Sequence, residues 1–432
     1  MKKAESKKVI AVCICCMMLL FLFTGCDNIL AYVEEGVSNA STDHAALPTS
    51  APFDSGQETS RPSDPVTSTP APVAIEAEET PKPSAETADT EIGYYYSFLT
   101  DEQKTVYREI KDAFDHYSVP KHTLHTDCLE DALIAQEYLI TDYAKYYYNV
   151  NFDFSVQDDG LICLELTHEE NVAEIDREFS AISEVTDEIL RSVPADASEY
   201  ETIRVFYEWL CDNLSYEESD RDQIITSAFI DRKTVCTGYA RAFQYLCNRT
   251  GIQCALVRGD GDNGEDSPER HAWNFVRIDG KYYWVDATWG DPIETENPEN
   301  SHISYFFLCT TDSFLFRTHT PYPFESCFID QAYSVEYPKC DDESLLFCKQ
   351  FGLFFEEYDP DLIERMIIHA IEQDADRSVV LQFRNPDNMQ RFVDELLPDL
   401  LQSVRDAGMT EIYNYQMFSC DRDGYMELTF LQ

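Results

Sequence analysis

The segment from Lys233 to Asp291 holds a thiol, an imidazole and a carboxylate, each in a local context that restricts its position. The thiol belongs to Cys236, and Thr234 just before it is a residue type that caps helix N-termini. The pattern therefore predicts a helix that begins at about Cys236. Apolar side chains then recur at helical spacing at Tyr239, Ala240, Phe243, Leu246 and Cys247.

A cysteine at a helix N-terminus lies beside unpaired backbone N–H groups and the positive end of the helix dipole. Both favour the thiolate over the thiol. The same N–H groups stabilise an oxyanion when a thiolate attacks a carbonyl. The alternative is that Cys236 is a small core residue, because free cysteines are often buried. For Cys236 alone the core alternative is the more common one, so the interpretation depends on its neighbours.

A β-hairpin is predicted downstream, with strands at residues 271–278 and 281–286 joined by an Asp-Gly turn. In the register that this turn sets, Trp273 lies opposite Asp286. His271 shares a face with Trp273 and becomes a diagonal neighbour of Asp286, about 7 Å away at the backbone. Asp286 can then hold the imidazole in one tautomer while its other nitrogen faces the thiol.

The alternative for the hairpin is an exposed ion pair between His271 and Asp286. A cysteine at a helix start would play no part in such a pair. Taken together, the three residues predict a nucleophilic site formed by Cys236, His271 and Asp286.

Three segments carry a family resemblance: VCTGYARAF, GIQCALVRGD and HAWNFVRIDGKYYWVDATWGD. They resemble the transglutaminase-like cysteine enzyme superfamily, which includes transglutaminases, peptide N-glycanases and bacterial cysteine peptidases. The resemblance covers roughly residues 200–325. It implies an α+β fold with a papain-like core, in which a helix bearing the cysteine packs on an antiparallel sheet bearing the histidine and aspartate. It also implies that Cys236 is the nucleophile, His271 the general base and acid, and Asp286 the orienting residue.

Residues around these three have less defined roles. Asn213 to Tyr216 match a pattern common upstream of the cysteine in bacterial members of the superfamily. Tyr216 or Gln223 are candidates for a side-chain donor to an oxyanion, although packing is the favoured role for both. His319 resembles a position often seen in this group, and we expect it to be structural because the site already has its imidazole.

The N-terminus has the pattern of an export signal. A lysine-rich start is followed by an apolar run from Val9 to Phe23, which is shorter than the ~20 residues that a spanning helix needs. Phe23 to Cys26 resembles the lipobox of bacterial lipoproteins, in which the cysteine is lipidated. An uncleaved signal anchor is the alternative. Both place the rest of the chain outside the cytoplasm, and the lipobox predicts a lipid anchor through Cys26 at the extracytoplasmic face of the cell membrane.

Shifts in composition divide the rest of the chain. We expect a signal peptide at 1–25 and a disordered stalk rich in Pro, Ser, Thr and Glu at 26–92. A small α+β module at 93–195 and a transglutaminase-like catalytic domain at 196–338 follow. The C-terminal residues 339–432 are predicted to form a small α/β module.

Periodicity also predicts individual elements outside the hairpin, including a buried strand at 305–309. The predicted helices span 101–117, 128–148, 169–191, 200–213, 360–373 and 389–407, and the other strands span 152–156, 161–167, 378–383, 411–418 and 425–430.

Charge and cysteine spacing exclude several classes of function. The formal net charge of −49 argues against nucleic acid or an anionic membrane surface as a direct partner. Glycine patterns of nucleotide-binding enzymes are absent from the sequence, and no cofactor is implied. A zinc site is not predicted, because no C-x-x-C pair occurs. An exported protein can form disulfides, with open connectivity, among Cys128, Cys163, Cys211, Cys247, Cys254, Cys309, Cys327, Cys340, Cys348 and Cys420.

These features favour a cysteine enzyme that acts on amide bonds of proteins or peptides, as a peptidase, an amidase or an acyl transferase. The alternative is a binding module that has kept the fold and lost catalysis. An intact set of Cys236, His271 and Asp286 favours the enzyme, because an inactive copy is free to lose any of the three.

We predict that Cys26→Ala abolishes acylation, because the substitution removes the atom to which the lipid is attached. The variant should accumulate as an unprocessed or released form. Intact-mass analysis of the native protein checks this expectation, and an unlipidated chain that retains its leader would contradict the lipoprotein interpretation.

Overall fold

The computed structural model describes residues 93–146, 150–168, 172–264, 267–291, 303–323, 335–374, 377–420 and 424–431. The predicted signal peptide, the predicted lipidation residue Cys26 and the predicted stalk lie outside these residues. Within the described ranges, no helix is long and apolar enough to span a membrane.

The first part of the fold packs three helices with a small antiparallel sheet of order β1-β3-β2. The first helix begins with a capping box, in which Thr100 and Gln103 each satisfy the other's backbone N–H. A 3₁₀ turn at Tyr95–Phe98 precedes it and another at Ala144–Tyr146 follows the second helix. The elements are α1 (Asp101–Asp115), β1 (Lys121–Leu124), α2 (Leu129–Asp142), β2 (Val150–Val156), β3 (Ile162–His168) and α3 (Val172–Ser192).

The central part contains the predicted cysteine helix and hairpin, within an antiparallel sheet of order β8-β7-β6-β9. A parallel two-strand pair, β4 with β5, leads into the cysteine helix, after a π-helical turn at Ser227–Asp231. The elements are α4 (Glu199–Asn213), β4 (Ser215–Tyr216), β5 (Lys233–Thr234), α5 (Cys236–Thr250), β6 (Cys254–Gly261), β7 (Glu269–Ile278), β8 (Lys281–Val285), α6 (Ala287–Gly290), α7 (Asp312–Leu315) and β9 (His319–Pro321).

The hairpin has the predicted register. Asp279 and Gly280 both have positive φ, 48° and 81°, as a type I′ turn requires. The turn pairs Ile278 with Lys281 and, further along, Asn274 with Val285. Continued by one step, this register sets Trp273 opposite Asp286, so the predicted arrangement of the hairpin is confirmed.

Buried amides attach the cysteine helix α5 to its surroundings. Asn274 of β7 donates from Nδ2 to the Ala240 carbonyl of α5 at 3.0 Å. Gln244 of α5 donates from Nε2 to the carbonyls of Thr141 at 2.7 Å and Cys254 at 3.1 Å. These bonds fix α5 relative to β6, β7 and the end of α2, and therefore fix the position of its first residue.

The helix α5 begins at Cys236 as predicted, but Thr234 is not its N-cap. Val235 occupies that position and makes no side-chain capping bond. Thr234 lies in β5, where its hydroxyl bonds to the Asp222 carbonyl and contacts Ser227. The hydroxyl is engaged by that loop and does not cap the helix, so it does not cover the first N–H groups of α5.

The predicted strand at 305–309 is also wrong. Residues Tyr305–Phe307 form a 3₁₀ turn, and Thr310 alone makes an isolated bridge to Trp284. The apolar run is nevertheless buried from Phe306 to Cys309. A short buried run has no periodicity that separates a strand from a tight helical turn.

The C-terminal part is a four-stranded sheet of order β10-β11-β13-β12 with helices against it. The predicted helix at 360–373 and strand at 378–383 are confirmed, whereas the single helix predicted at 389–407 is divided by a π-helical turn at Phe392–Leu396. The elements are α8 (Phe347–Gln350), β10 (Leu353–Phe355), α9 (Pro360–Gln373), β11 (Ser378–Phe383), α10 (Pro386–Arg391), α11 (Leu397–Asp406), β12 (Asn414–Cys420) and β13 (Tyr425–Leu431).

Two large clusters of buried apolar side chains underlie this architecture. One runs from Tyr94 to Cys348 and includes Tyr425, so the N-terminal helices and the cysteine helix share a core. The other extends from Phe355 to Phe430. The domain boundaries inferred from composition stay predictions.

We predict that Gln244→Leu lowers the free energy of unfolding by about 1–3 kcal/mol, because buried carbonyls lose their donor. Gln244 is 1% exposed, so water does not replace the amide. Chemical denaturation measures the loss. Gln390→Leu is the matched control, since Gln390 is exposed and bonds only to Asp394 on its own helical run. Equal effects of the two substitutions would contradict the structural role of Gln244.

Candidate active site

Cys236 is the first residue of α5 and is half-buried. Its side chain packs against a small apolar cluster of Ala240, Leu256 and Ala272. The position combines access from solvent with the positive end of a helix of 15 residues. Such surroundings favour a reactive thiol over an inert core cysteine.

His271 and Asp286 are in direct contact. Nε2 of His271 lies 2.6 Å from Oδ2 of Asp286, and both residues are buried. A carboxylate oxygen accepts, so Nε2 carries the proton that it donates. The indole of Trp273 stacks beside the imidazole, with ring centroids 5.8 Å apart. Nδ1 of His271 is thereby left for the thiol, as the diagonal arrangement on the hairpin predicts.

The other oxygen of Asp286 is held by backbone. Asp286 is the N-cap of α6, and its Oδ1 accepts from the N–H groups of Thr288 at 2.9 Å and Trp289 at 3.1 Å. Burial alone would raise the pKa of this carboxyl, but His271 and His319 hold it well below its usual value. The carboxylate is therefore ionised and fixed in orientation.

The pKa values of the thiol and imidazole are shifted in opposite directions. Burial alone would raise the pKa of the Cys236 thiol, but the hydrogen bond and charge of His271, with the Ala272 N–H, hold it below its usual value. Burial would lower the pKa of His271, but the charge and hydrogen bond of Asp286 raise it, helped by Cys236. A lowered thiol pKa and a raised imidazole pKa open a pH window in which thiolate and imidazolium coexist.

Tyr216, one of the two candidates for a side-chain donor, lies beside the thiol. The parallel pairing of β4 with β5 sets Tyr216 opposite Thr234, close in sequence to Cys236. The phenol hydroxyl interacts with Cys236, although 60% of the residue surface is exposed. Burial of the hydroxyl end and the nearby thiolate charge both raise the pKa of Tyr216, so it remains a neutral donor.

His319, to which sequence reasoning gave a structural role, contacts the carboxylate of the site. Its Nε2 lies 3.0 Å from Oδ2 of Asp286, the same oxygen that binds His271. The two residues are 33 positions apart in sequence and meet because β9 pairs with β6, where His319 faces Gly261. Nothing in the local sequence predicts that pairing, and the family position of His319 was the one available signal.

Two imidazoles and a carboxylate are also ligands that metal ions use, and the ligand atoms of His271, Asp286 and His319 lie within 4.8 Å of one another. Ligand atoms around a tetrahedral zinc ion, with bonds of about 2.1 Å, are separated by roughly 3.4 Å. The 2.6 Å separation of His271 Nε2 and Asp286 Oδ2 is instead a hydrogen-bond distance. The geometry fits a hydrogen-bonded carboxylate better than a metal centre.

In the described ranges, nine cysteines including Cys236 have free thiols. Cys327 lies outside those ranges, as does Cys26. The pairings that an exported protein could form stay a prediction.

The transglutaminase-like superfamily model matches residues 184–287 of this chain, which contain Cys236, His271 and Asp286. The segment is therefore a transglutaminase-like domain. The expected mixed helix-and-sheet fold with a transglutaminase-like core is confirmed, since the cysteine helix packs on the antiparallel sheet of that segment.

Curated relatives are similar over a limited part of their length. The chain is 28% identical over 160 residues to the kyphoscoliosis peptidase of Mus musculus, covering 33% of this chain and 23% of the relative. It is 29% identical over 167 residues to the kyphoscoliosis peptidase of Homo sapiens, covering 35% of this chain and 23% of the relative. The chain thus spans about a quarter of the length of these relatives.

Among solved structures, one described as a TGase is 13% identical, with a TM-score of 0.25. The alignment covers 34% of this chain and 46% of that chain. A TM-score of this size does not establish a common fold by itself.

We predict that Tyr216→Phe shifts the acid inflection of Cys236 alkylation upward by up to about one pH unit, because a donor to the thiolate is lost. The rate of iodoacetamide labelling against pH measures the shift. Tyr413→Phe is the control, since Tyr413 is 67% exposed and lies in the C-terminal part. An unchanged inflection in Tyr216→Phe would contradict a functional contact between hydroxyl and sulfur.

Proposed function

We propose that this chain, which carries a transglutaminase-like domain, is a cysteine enzyme that acts on amide bonds of proteins or peptides through Cys236, His271 and Asp286. The observation that carries the proposal is the buried hydrogen bond between His271 and Asp286, combined with a half-buried thiol at a helix start whose pKa the same imidazole lowers. Each residue has a partner that favours its catalytically competent state.

The first half-reaction follows from these contacts. The Cys236 thiolate attacks the amide carbonyl carbon, so a C–S bond forms and the carbonyl electrons move to oxygen. N–H groups at the start of α5 and the Tyr216 hydroxyl are the proposed donors to that oxyanion. When the C–N bond breaks, the His271 imidazolium gives its Nδ1 proton to the leaving amine, and a thioester remains on Cys236.

The second half-reaction resolves the thioester. Neutral His271 takes a proton from water or from an acceptor amine, and the resulting nucleophile attacks the thioester carbon. Collapse of the second oxyanion breaks the C–S bond and restores the thiolate and imidazolium. Water gives hydrolysis, whereas an amine gives acyl transfer, and both remain within the proposal.

Asp286 acts on the imidazole throughout. It remains an anion, since the carboxylate accepts four hydrogen bonds and its pKa lies well below the usual range. It holds the tautomer in which Nδ1 faces the sulfur and stabilises the imidazolium. We further propose that the lipobox-like sequence at Cys26 anchors this chemistry at the extracytoplasmic face of a membrane.

We predict that substitutions of Cys236, His271 and Asp286 differ in their effects on acyl-enzyme formation and turnover. Cys236→Ala should abolish acyl-enzyme formation while peptide binding survives. His271→Ala should lower turnover nearly as much, because the three residues act as a unit. The loss of turnover in Asp286→Ala should be roughly tenfold to a hundredfold smaller than in Cys236→Ala. The orientation of the imidazole is lost, while the nucleophile and the base remain. Labelling with a peptide that carries an amide-mimicking electrophile, followed by mass-spectrometric mapping and turnover assays, measures all three.

Cys128→Ala is the matched control, because Cys128 is also half-buried but lies at the start of α2. It should retain labelling and turnover. Labelling that persists in Cys236→Ala at the wild-type rate, or peptide binding with no covalent adduct in the wild type, would favour an inactive binding module.

A further inference from the structure

One carboxylate oxygen serves two imidazoles. Oδ2 of Asp286 accepts from Nε2 of His271 at 2.6 Å and lies 3.0 Å from Nε2 of His319. The centroids of the two rings are 5.3 Å apart. The mechanism proposed above uses only one of these imidazoles, so the second needs its own explanation.

His319 is enclosed rather than exposed. Its side chain and that of Asp286 are both 0% exposed. Aromatic rings surround it, with centroids at 4.5 Å for Trp289, 4.9 Å for Trp273 and 5.9 Å for Phe307. A polar ring buried in this way costs free energy unless its nitrogens are bonded.

The partners of His319 favour one tautomer. Nε2 must carry a proton, because the oxygen that it faces belongs to an ionised carboxylate. Nδ1 lies 2.6 Å from Oγ1 of Thr318. We assign the hydroxyl proton to this contact, since the other acceptor within its reach, the Leu315 carbonyl, is further away at 3.3 Å. This assignment satisfies both ring nitrogens with one proton on the ring.

The backbone is built to bring β9 to this position. A Cβ at Gly259 of β6 would lie 2.2 Å from the Thr320 carbonyl oxygen and 2.5 Å from the Trp273 ring. A Cβ at Gly261 would lie 2.9 Å from the Trp289 ring. Any side chain at Gly259 would displace the strand that carries His319, so glycine permits the close approach.

We propose that His319 is a positioning residue that fixes the Asp286 carboxylate and, by donating to the oxygen shared with His271, limits the proton affinity of His271. This inference rests on the proposed function. The positive end of the His319 N–H dipole lies against Oδ2, so it offsets part of the negative potential that the carboxylate exerts on the His271 imidazolium.

The effect matters for proton transfer. His271 must hold a proton long enough to pair with the thiolate and must then release it to the leaving amine. An acid whose proton affinity is too high transfers its proton poorly. A second donor on Oδ2 keeps Asp286 oriented without letting it bind the His271 proton too strongly.

Charged and titratable groups near His271 are few within the described part of the chain. Cys236 approaches from the start of α5, Asp286 from the end of β8, and His319 from β9. Tyr216 of β4 reaches the same group through Cys236. Trp273 and Trp289 supply the apolar walls.

The test measures Cys236 alkylation by iodoacetamide against pH in the full chain. The wild-type profile should show two inflections, one for the thiol and a higher one at which His271 loses its proton. In His319→Phe the higher inflection should rise by about one pH unit, the order of one charge-assisted hydrogen bond. Turnover should fall about tenfold with KM nearly unchanged.

His319→Gln retains an amide N–H that reaches Oδ2, so the higher inflection should return toward the wild-type value. If His319→Phe folds poorly, His319→Leu removes the same donor with a smaller side chain and takes its place in the test. Thr320→Val is the control, since Thr320 is exposed on the same strand and should leave the profile unchanged.

The outcomes separate the two proposals. A wild-type profile with one ordinary thiol inflection overturns both the proposed function and this inference. Two inflections in the wild type, with the higher one unmoved or lowered in both His319 variants, leave the proposed function intact and overturn the inference. A rise in His319→Phe that is reversed in His319→Gln supports it.

Discussion

The structure of the site depends on one buried carboxylate with its hydrogen-bonding capacity filled. Asp286 accepts two backbone N–H groups on Oδ1 and contacts two imidazoles through Oδ2. A buried charge with fewer partners would be costly. With these four, the carboxylate is held in one orientation and directs the imidazole of His271 toward Cys236.

Separate elements of the fold supply those partners. The type I′ turn sets the register that brings Asp286 diagonally opposite His271. The short helix α6 provides its two N–H groups, and β9 provides His319. Amide contacts from Asn274 and Gln244 fix the cysteine helix against the same sheet. The thiol and its base are therefore positioned by regular elements rather than by long loops.

Sequence reasoning predicted the features that depend on local periodicity and turn chemistry, which are the hairpin and the cysteine helix. The Asp-Gly turn defines the hairpin register, and helical spacing after Cys236 defines the start of α5. It did not predict the contacts that depend on pairing between separate segments. Thr234 bonds to the Asp222 loop instead of capping, Tyr216 reaches Cys236 through the β4–β5 pair, and His319 reaches Asp286 through the β6–β9 pair.

The central claim is that Cys236 is a thiolate held by the His271 imidazolium. Its most direct test is the thiolate ultraviolet absorbance across pH, recorded as the difference between the chain and its Cys236→Ala variant. The subtraction removes the absorbance of the other cysteines. We expect one thiolate to appear well below the ordinary thiol pKa of about 8.5, and to appear at higher pH in His271→Ala. A single transition near the ordinary value, unaffected by His271→Ala, would contradict the account.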